Sequence, residues 1–588
     1  GLPGRRPLRR PALGARARSG LQALPDWLRA AYRVAAEGVP EWHRLPAELE
    51  RLDGGAIEAR PDPLPDELLE LAAPSEHLLV SGGGSRLRLD PATGLNLYGC
   101  GAVPSPEVLA FASSTASTIS APAYRAVEAL RQALLRAGQA GRLEPALAAE
   151  IADIKREVLA RCGAGDLMGT EVVLTASGTD GELAALHLAR RGDRRLVNLV
   201  IAPEETGSGV PDAAGGRHFA PETPHGAAVA KGEAIAGLAP VAVETVEIRG
   251  PDGAARPLAA IDTEVAARVR RAVANGARCL VHLLDASKSG LAAPSPGVVR
   301  TLCARHGARI EVVVDACQLR LRPERIRSYL EQGWMVLVTG SKFAMGPPFA
   351  GALLVPARLA AGIAQVPPLP AGFAQYFARA EWPAAWQPIG AVLPPRPNLG
   401  LLFRWRAALF EMAALDAVPE ALRTRIVGEL GAAIRAALAA APLLDPVEPA
   451  QRDGASTIFP FRVLRQDADG ACRPLSTEAA RQVWRWLRED LADRLPVHAA
   501  RAERRLAALP CEVGQPIAIG AAGALRLCIG ARLISEAALD PALGATVELR
   551  LRRQIGRARL VLDKAALIAR YVDDLDATER RVSAAPPG

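Results

Sequence analysis

Between Leu95 and about Pro356 the chain alternates, and this alternation most constrains its fold. Short apolar runs of strand length recur, separated by segments of helical periodicity. The runs are Glu171 to Ala176, Arg195 to Ala202, Cys279 to Leu284, Ile310 to Asp315 and Trp334 to Val338. Helical patterns cover Gly181 to Arg190, Ser295 to His306 and Pro323 to Gln332. Strands buried on both faces read as continuous apolar runs, and helical crossovers join parallel neighbours. The pattern predicts an α/β fold, with a large, mostly parallel sheet and helices on both faces. Gly351 to Val355 is expected to be an antiparallel neighbour.

Three of these runs end in residues that carry chemistry. Glu171 to Ala176 leads into Ser177-Gly178-Thr179 and then a helix. A strand, a small-residue turn and a helix N-terminus make a cradle for phosphate. The second run ends in Asp315-Ala316-Cys317-Gln318. A carboxylate there suits a partner that must stay positive, such as a pyridinium nitrogen. The third ends in Thr339-Gly340-Ser341-Lys342, with Gly346-Pro347-Pro348 beyond. A lysine at a buried strand end is costly unless it is paired or used covalently. A desolvated amine is also a usable nucleophile toward a carbonyl. In open α/β sheets, ligands bind at the carboxyl edge, where all three motifs are expected.

In this order, Ser177-Gly178-Thr179, Asp315-Ala316-Cys317-Gln318 and Ser341-Lys342 with Gly346-Pro347 resemble fold type I enzymes that use pyridoxal 5′-phosphate (PLP). The class V aminotransferase and cysteine desulfurase branch looks most similar, and the resemblance spans about Leu95 to Ile534. It implies PLP as cofactor, with Lys342 forming a Schiff base and shuttling protons. Asp315 would keep the ring nitrogen protonated, and Gln318 would donate to the ring hydroxyl. Ser177, Gly178 and Thr179 match the phosphate turn, and Thr339 and Ser341 match positions flanking the lysine. Ser287, in Asp285-Ala286-Ser287-Lys288-Ser289-Gly290, stands where relatives carry an asparagine. Thr206 falls closest to the usual ring-stacking histidine. His218 and His225 lie farther along, and Glu205 is an alternative acid or base. Arg526, in Ala524-Leu525-Arg526-Leu527-Cys528, resembles an arginine that clamps the substrate carboxylate.

The activity so implied is that of a PLP-dependent transferase acting on an amino acid or amine, most simply an aminotransferase. A second reading is a cysteine desulfurase or C–S lyase using Cys511, upstream of Arg526, as nucleophile. A third is a catalytically silent regulatory or binding protein with the same fold. Relatives of this kind are usually homodimers.

Composition bounds the remainder. The chain has 588 residues, and 49% are hydrophobic, which supports a large core and argues against global disorder. No apolar run approaches a membrane span. The net charge of +8 comes mainly from Arg5, Arg6, Arg9, Arg10, Arg16 and Arg18 in an acid-free start. That leaves no basic face on the folded body, so no nucleic-acid partner is expected. The eight cysteines form no CxxC pair and no zinc pattern, which suits reduced thiols in a cytoplasmic protein. The chain starts at Gly1 rather than at a methionine, so a missing natural start is allowed for.

Residues 1–85 are expected to be a partly disordered extension, with helical character over Ala23 to Leu49 and a hinge at Ser81-Gly82-Gly83-Gly84-Ser85. Arg86 and Arg88 follow it. Residues 86–390 form the large domain and 391–588 a smaller α+β domain. The latter's expected strands are Thr457 to Val463 and Leu525 to Ile529, with helices at Leu399 to Ala414, Thr477 to Leu491 and Asp563 to Leu575. Gln365 to Pro397, rich in proline and aromatics, should pack as an irregular connector.

Overall fold

Strand β2 (Glu171–Thr175) forms one edge of a seven-stranded sheet. Next come β8 (Gly351–Val355), β7 (Met335–Thr339), β6 (Ile310–Asp315), β5 (Arg278–Leu284), β3 (Leu196–Ile201) and β4 (Ala242–Val246). This arrangement belongs to a computed structural model that describes residues 66–191, 195–386, 389–447, 456–467 and 469–584. Only β8 runs antiparallel to its neighbours, as its sequence pattern predicts. Side chains alternate across the sheet into two cores. Val172, Leu174, Val336 and Val338 face one core, while Val173, Met335 and Leu337 face the other. The strand period of two dictates this division.

Register brings the motif-bearing ends together. Thr175 of β2 and Thr339 of β7 both pair with Gly351, and Asp315 pairs with Leu337. Gly351 must lack a side chain, because a Cβ there would lie 2.7 Å from the Ser177 carbonyl carbon.

The second sheet runs β1 (Leu109–Phe111), β12 (Cys511–Ile519), β13 (Ala522–Cys528), β10 (Ile458–Gln466) and β11 (Cys472–Pro474), with β9 (Leu444–Pro446) beside β10. Phe459, Phe461, Trp486, Leu525 and Leu527 build its core. Strand β1 pairs with β12, so a segment from within the predicted large domain crosses to this sheet. Helix Leu399–Asp416 does the reverse: Leu402, Phe403 and Leu409 are buried in the first core.

Other elements depart from the sequence expectation in instructive ways. Helices Asp66–Leu71 and Ser75–Leu79 bury Leu71, Leu78 and Leu79 in the first core, so residues 66–85 are part of the packed body. Ala23 to Leu49 lies outside the described residues. The helix expected over Asp563 to Leu575 is split at Tyr571 between Val547–Arg570 and Val572–Ala584. The connector packs through an aromatic cluster of Phe373, Tyr376, Phe377, Trp382 and Trp386, all buried. Phe377 meets Trp382 edge-on at 5.6 Å. Among the described residues, no helix is long and apolar enough to cross a membrane.

Candidate functional site

A cavity of about 190 Å³ opens at the carboxyl edge of the large sheet. Nine of its lining residues come from the strand-end motifs: Ser177, Gly178, Thr179, Asp315, Cys317, Thr339, Ser341, Lys342 and Pro348. Ser177 caps helix Gly178–Ala189, its Oγ accepting from Asp180 N at 3.3 Å. The first-turn N–H groups of a helix have no partner within it and attract an anion. Gly178 is required here because a Cβ would lie 2.5 Å from Cys317 Sγ. Asp315 Oδ1 accepts from Cys317 N at 3.0 Å. Thr339 Oγ1 donates to Cys317 O at 2.7 Å, tying the end of β7 to the turn after β6. Lys342 is the third residue after the end of β7, and its amine has no hydrogen-bond or ion-pair partner among the described residues.

Other lining residues come from distant segments. Lys288 is a second cavity amine without a partner among the described residues. Burial, then the nearby charges of Arg526 and Lys342, pull it down to about 7. Glu182 lines the cavity too, and burial with the neighbouring Asp315 charge pushes its carboxyl well above the usual range. Its Oε2 lies 3.6 Å from His282 Nε2, and burial pulls that imidazole down to about 4. The imidazole is therefore neutral near pH 7, and the contact is not an ion pair. Arg86, Tyr98, Phe219, Phe349, Thr115 and Gln515 complete much of the wall.

Several expected site residues lie elsewhere. Gln318 is buried outside the lining, its Nε2 donating to Ser114 O at 3.1 Å, so its amide is committed to a backbone carbonyl. Ser287 is turned onto the Glu205 carboxylate. Glu205 is itself buried in an ion pair with Arg249 and is neither solvated nor in the cavity. Thr206 is buried with its Oγ1 unpartnered and does not line the cavity, whereas Gly207 to Val210 do. His218 stays outside, with Nδ1 2.7 Å from Tyr376 Oη; its neighbour Phe219 is what this loop presents. His225 contacts Ala374 O and lines a different cavity.

Arg526, in β13, is buried directly behind the wall. It donates to Thr115 Oγ1 at 2.9 Å, to Lys288 O at 3.4 Å and to Gln515 O, all groups of lining residues. Burial lowers it to about 10, and no carboxylate pairs with it among the described residues. Cys511 is a correction to the nucleophile reading. It begins β12, is fully buried in the second core, and burial pushes its thiol up to about 11. The cavity's own cysteine is Cys317, whose thiol is also raised by burial. Among the described residues, no cluster of His, Cys, Asp or Glu could hold a metal ion.

No protein-family model matches this sequence. No curated protein matches it either. Among solved structures, it is similar to the cystine C–S lyase C-DES in complex with its product cysteine persulfide, at 15% identity and a TM-score of 0.46, covering 77% of this chain and 98% of that one. It is similar to Oryza sativa TDC with PLP and tryptamine, at 15% identity and 0.48, covering 95% and 98%. A third is a serine palmitoyltransferase variant from S. paucimobilis with a bound PLP–myriocin adduct, at 12% identity and 0.38, covering 71% and 77%.

Proposed function

We propose that this protein is a PLP-dependent enzyme acting on an amino acid or amine, and that its reaction is a transamination. One observation carries the reading: the unpartnered amine of Lys342, the carboxylate of Asp315 and the helix N-terminus at Ser177-Gly178-Thr179 all line one cavity. These donors fit the cofactor. The first-turn amides suit its phosphate, the carboxylate suits a protonated ring nitrogen, and the amine suits its aldehyde. Ser114 Oγ, buried in the same wall without a partner among the described residues, offers a further polar contact.

When bound, PLP would supply an electron-withdrawing ring that stabilises negative charge developing on the substrate carbon. The protein's own residues do the rest. Asp315 would hold a proton on the ring nitrogen, and burial, with the Asp315 charge beside it, raises the Glu182 carboxyl. Lys342 Nζ moves the proton at the substrate carbon, as a general base and then a general acid. Lys288 Nζ, held to about 7 by burial, is a second site able to exchange a proton near neutrality. Arg526 keeps an uncompensated positive charge behind Thr115 and Gln515, which favours a substrate carboxylate at that wall. The buried position of Cys511 gives the desulfurase reading no support.

Visible absorption of the purified protein with added PLP tests this reading. A band present in wild type and absent in Lys342→Ala is expected. It should bleach with a donor amino acid and return with a keto acid. No band after PLP addition overturns the proposal, and a band that no keto acid restores overturns transamination.

A further inference from the structure

Gly82, Gly83 and Gly84 sit where no side chain fits. A Cβ at Gly84 would lie 2.6 Å from Glu222 O and 2.7 Å from Thr223 O, and one at Gly82 would fall 1.9 Å from Asn398 Oδ1. Gly82 and Gly84 also have φ of +63° and +65°, which other residues rarely adopt. Arg404, fully buried, clamps the turn. Its guanidinium donates to Leu79 O at 3.2 Å, Gly82 O at 3.2 Å and Phe349 O at 2.6 Å, and also to Ser81 O. Asn398 Nδ2 adds a bond to Gly82 O at 2.9 Å. A backbone held this closely delivers the side chain that follows, Arg86, to one spot.

That spot is the cavity wall at the N-terminus of helix Gly178–Ala189. Arg86 Nη2 pairs with Asp180 Oδ2 at 3.0 Å, and Nη1 donates to Ser177 Oγ at 3.3 Å. The guanidinium lies over the rings of Phe349 at 4.3 Å and Phe219 at 5.0 Å, and both rings line the cavity. Among the described residues, Arg86 Nε–H is buried and donates to nothing, and Ser114 Oγ, in the same wall, is likewise buried without a partner. Asp180 is fully buried in the first helical turn, where its charge would repel an anion. The ion pair with Arg86 cancels that charge and leaves the helix N-terminus attractive to one.

We infer that Arg86 is a further binding residue for a phosphate group at this helix N-terminus, delivered by the glycine turn of a segment that precedes the sheet. The inference rests on the PLP reading for the identity of the phosphate carrier. A planar guanidinium supplies charge-assisted bonds to phosphate oxygens. Losing it removes those bonds and also exposes the phosphate to the unpaired Asp180.

The test compares ligands with and without the phosphate. Apo-protein is titrated with PLP and with pyridoxal, for wild type, Arg86→Gln and Arg86→Lys, with thermal unfolding measured alongside. Arg86→Gln is expected to weaken PLP at least about tenfold while pyridoxal changes by less than about twofold. Arg86→Lys, which keeps the charge without the fork, should fall between, and it carries the comparison if Arg86→Gln does not fold. Equal weakening of both ligands, or none, overturns the inference and leaves Arg86 a structural brace. Wild type binding neither ligand overturns the PLP reading itself. Inorganic phosphate then decides the anion site: stabilisation of wild type but not of Arg86→Gln supports it, and equal or absent stabilisation overturns it.

Discussion

Asp315 and Lys342 belong to one part of the cavity wall and Arg86 and Lys288 to another, the parts meeting where Arg86 bonds Ser177, and they reach the cavity by different routes. The first wall is built from the ends of β2, β6 and β7, strands of a single sheet in which only β8 separates β2 from β7. Its residues follow directly on apolar runs, so strand register alone sets them side by side. The second wall is assembled from a glycine turn, the loop after β5 and β12, which are far apart in sequence and meet only through packing. Function read from strand ends is therefore a reading of local sequence, whereas the second wall depends on buried anchors such as Arg404 and Arg526.

Substitutions can break or sharpen this contrast. The largest effect is expected from Lys342→Ala on the first wall: complete loss of the visible band and of turnover, with an unchanged thermal midpoint. Asp315→Asn should keep the fold and lower turnover on the order of 10²-fold, because the neutral amide no longer favours a protonated ring. Retained turnover would remove Asp315 from the chemistry. Arg404→Met attacks the second wall through its anchor. It strips donors from four backbone carbonyls, two of them buried, and should cost about 3 kcal/mol of stability, read by denaturant unfolding. An effect confined to cofactor affinity, with stability intact, would blur the distinction between the walls.

Lys288→Met should lower turnover about tenfold and change its pH dependence. With Lys288 held to about 7, the amine is charged below that pH and neutral above it. Wild type should therefore show an ionisation near pH 7 in its rate profile that the variant lacks, while the visible band persists. An unchanged profile would reduce Lys288 to a packing residue. The smallest effect is expected from Cys511→Ser, with turnover within about twofold and a stability loss of about 1 kcal/mol from a hydroxyl placed in an apolar core.

The alternation from Glu171 to Val355 anticipated six of the seven strands and the antiparallel β8, because burial on both faces leaves a continuous apolar signature; the partly exposed edge strand β4 and the helix Leu258–Ala274 after it carried no such signature and were not read. The helix near the C-terminus was harder to read. Its break at Tyr571 follows from the second core, which buries both Ile568 and Leu575. The resemblance implies ring contacts for Gln318 and Ser287, but a matched position in a motif does not say which way a turn side chain faces. Ser114 O and the Glu205 carboxylate claim them instead. Arg86 carried no signal of its own beyond the glycines before it. Lys288 did have one. Lysine occurs at only five positions, and arginine supplies the rest of the chain's 71 basic residues. Lys155 and Lys564 donate to buried backbone carbonyls, Lys231 is exposed, and the remaining two line the cavity. In so arginine-rich a chain, each lysine marks a place where a compact amine suits the surroundings.

By itself, the sequence determined the sheet and the three motifs at its carboxyl edge, since periodicity and burial act over a few residues. Only the tertiary structure decided that residues 66–86 are part of the body and that Arg86 and Lys288 share a cavity with Lys342. It also decided that Cys511 belongs to the other core. Those outcomes rest on contacts between segments hundreds of residues apart, for which no local pattern encodes direction or distance.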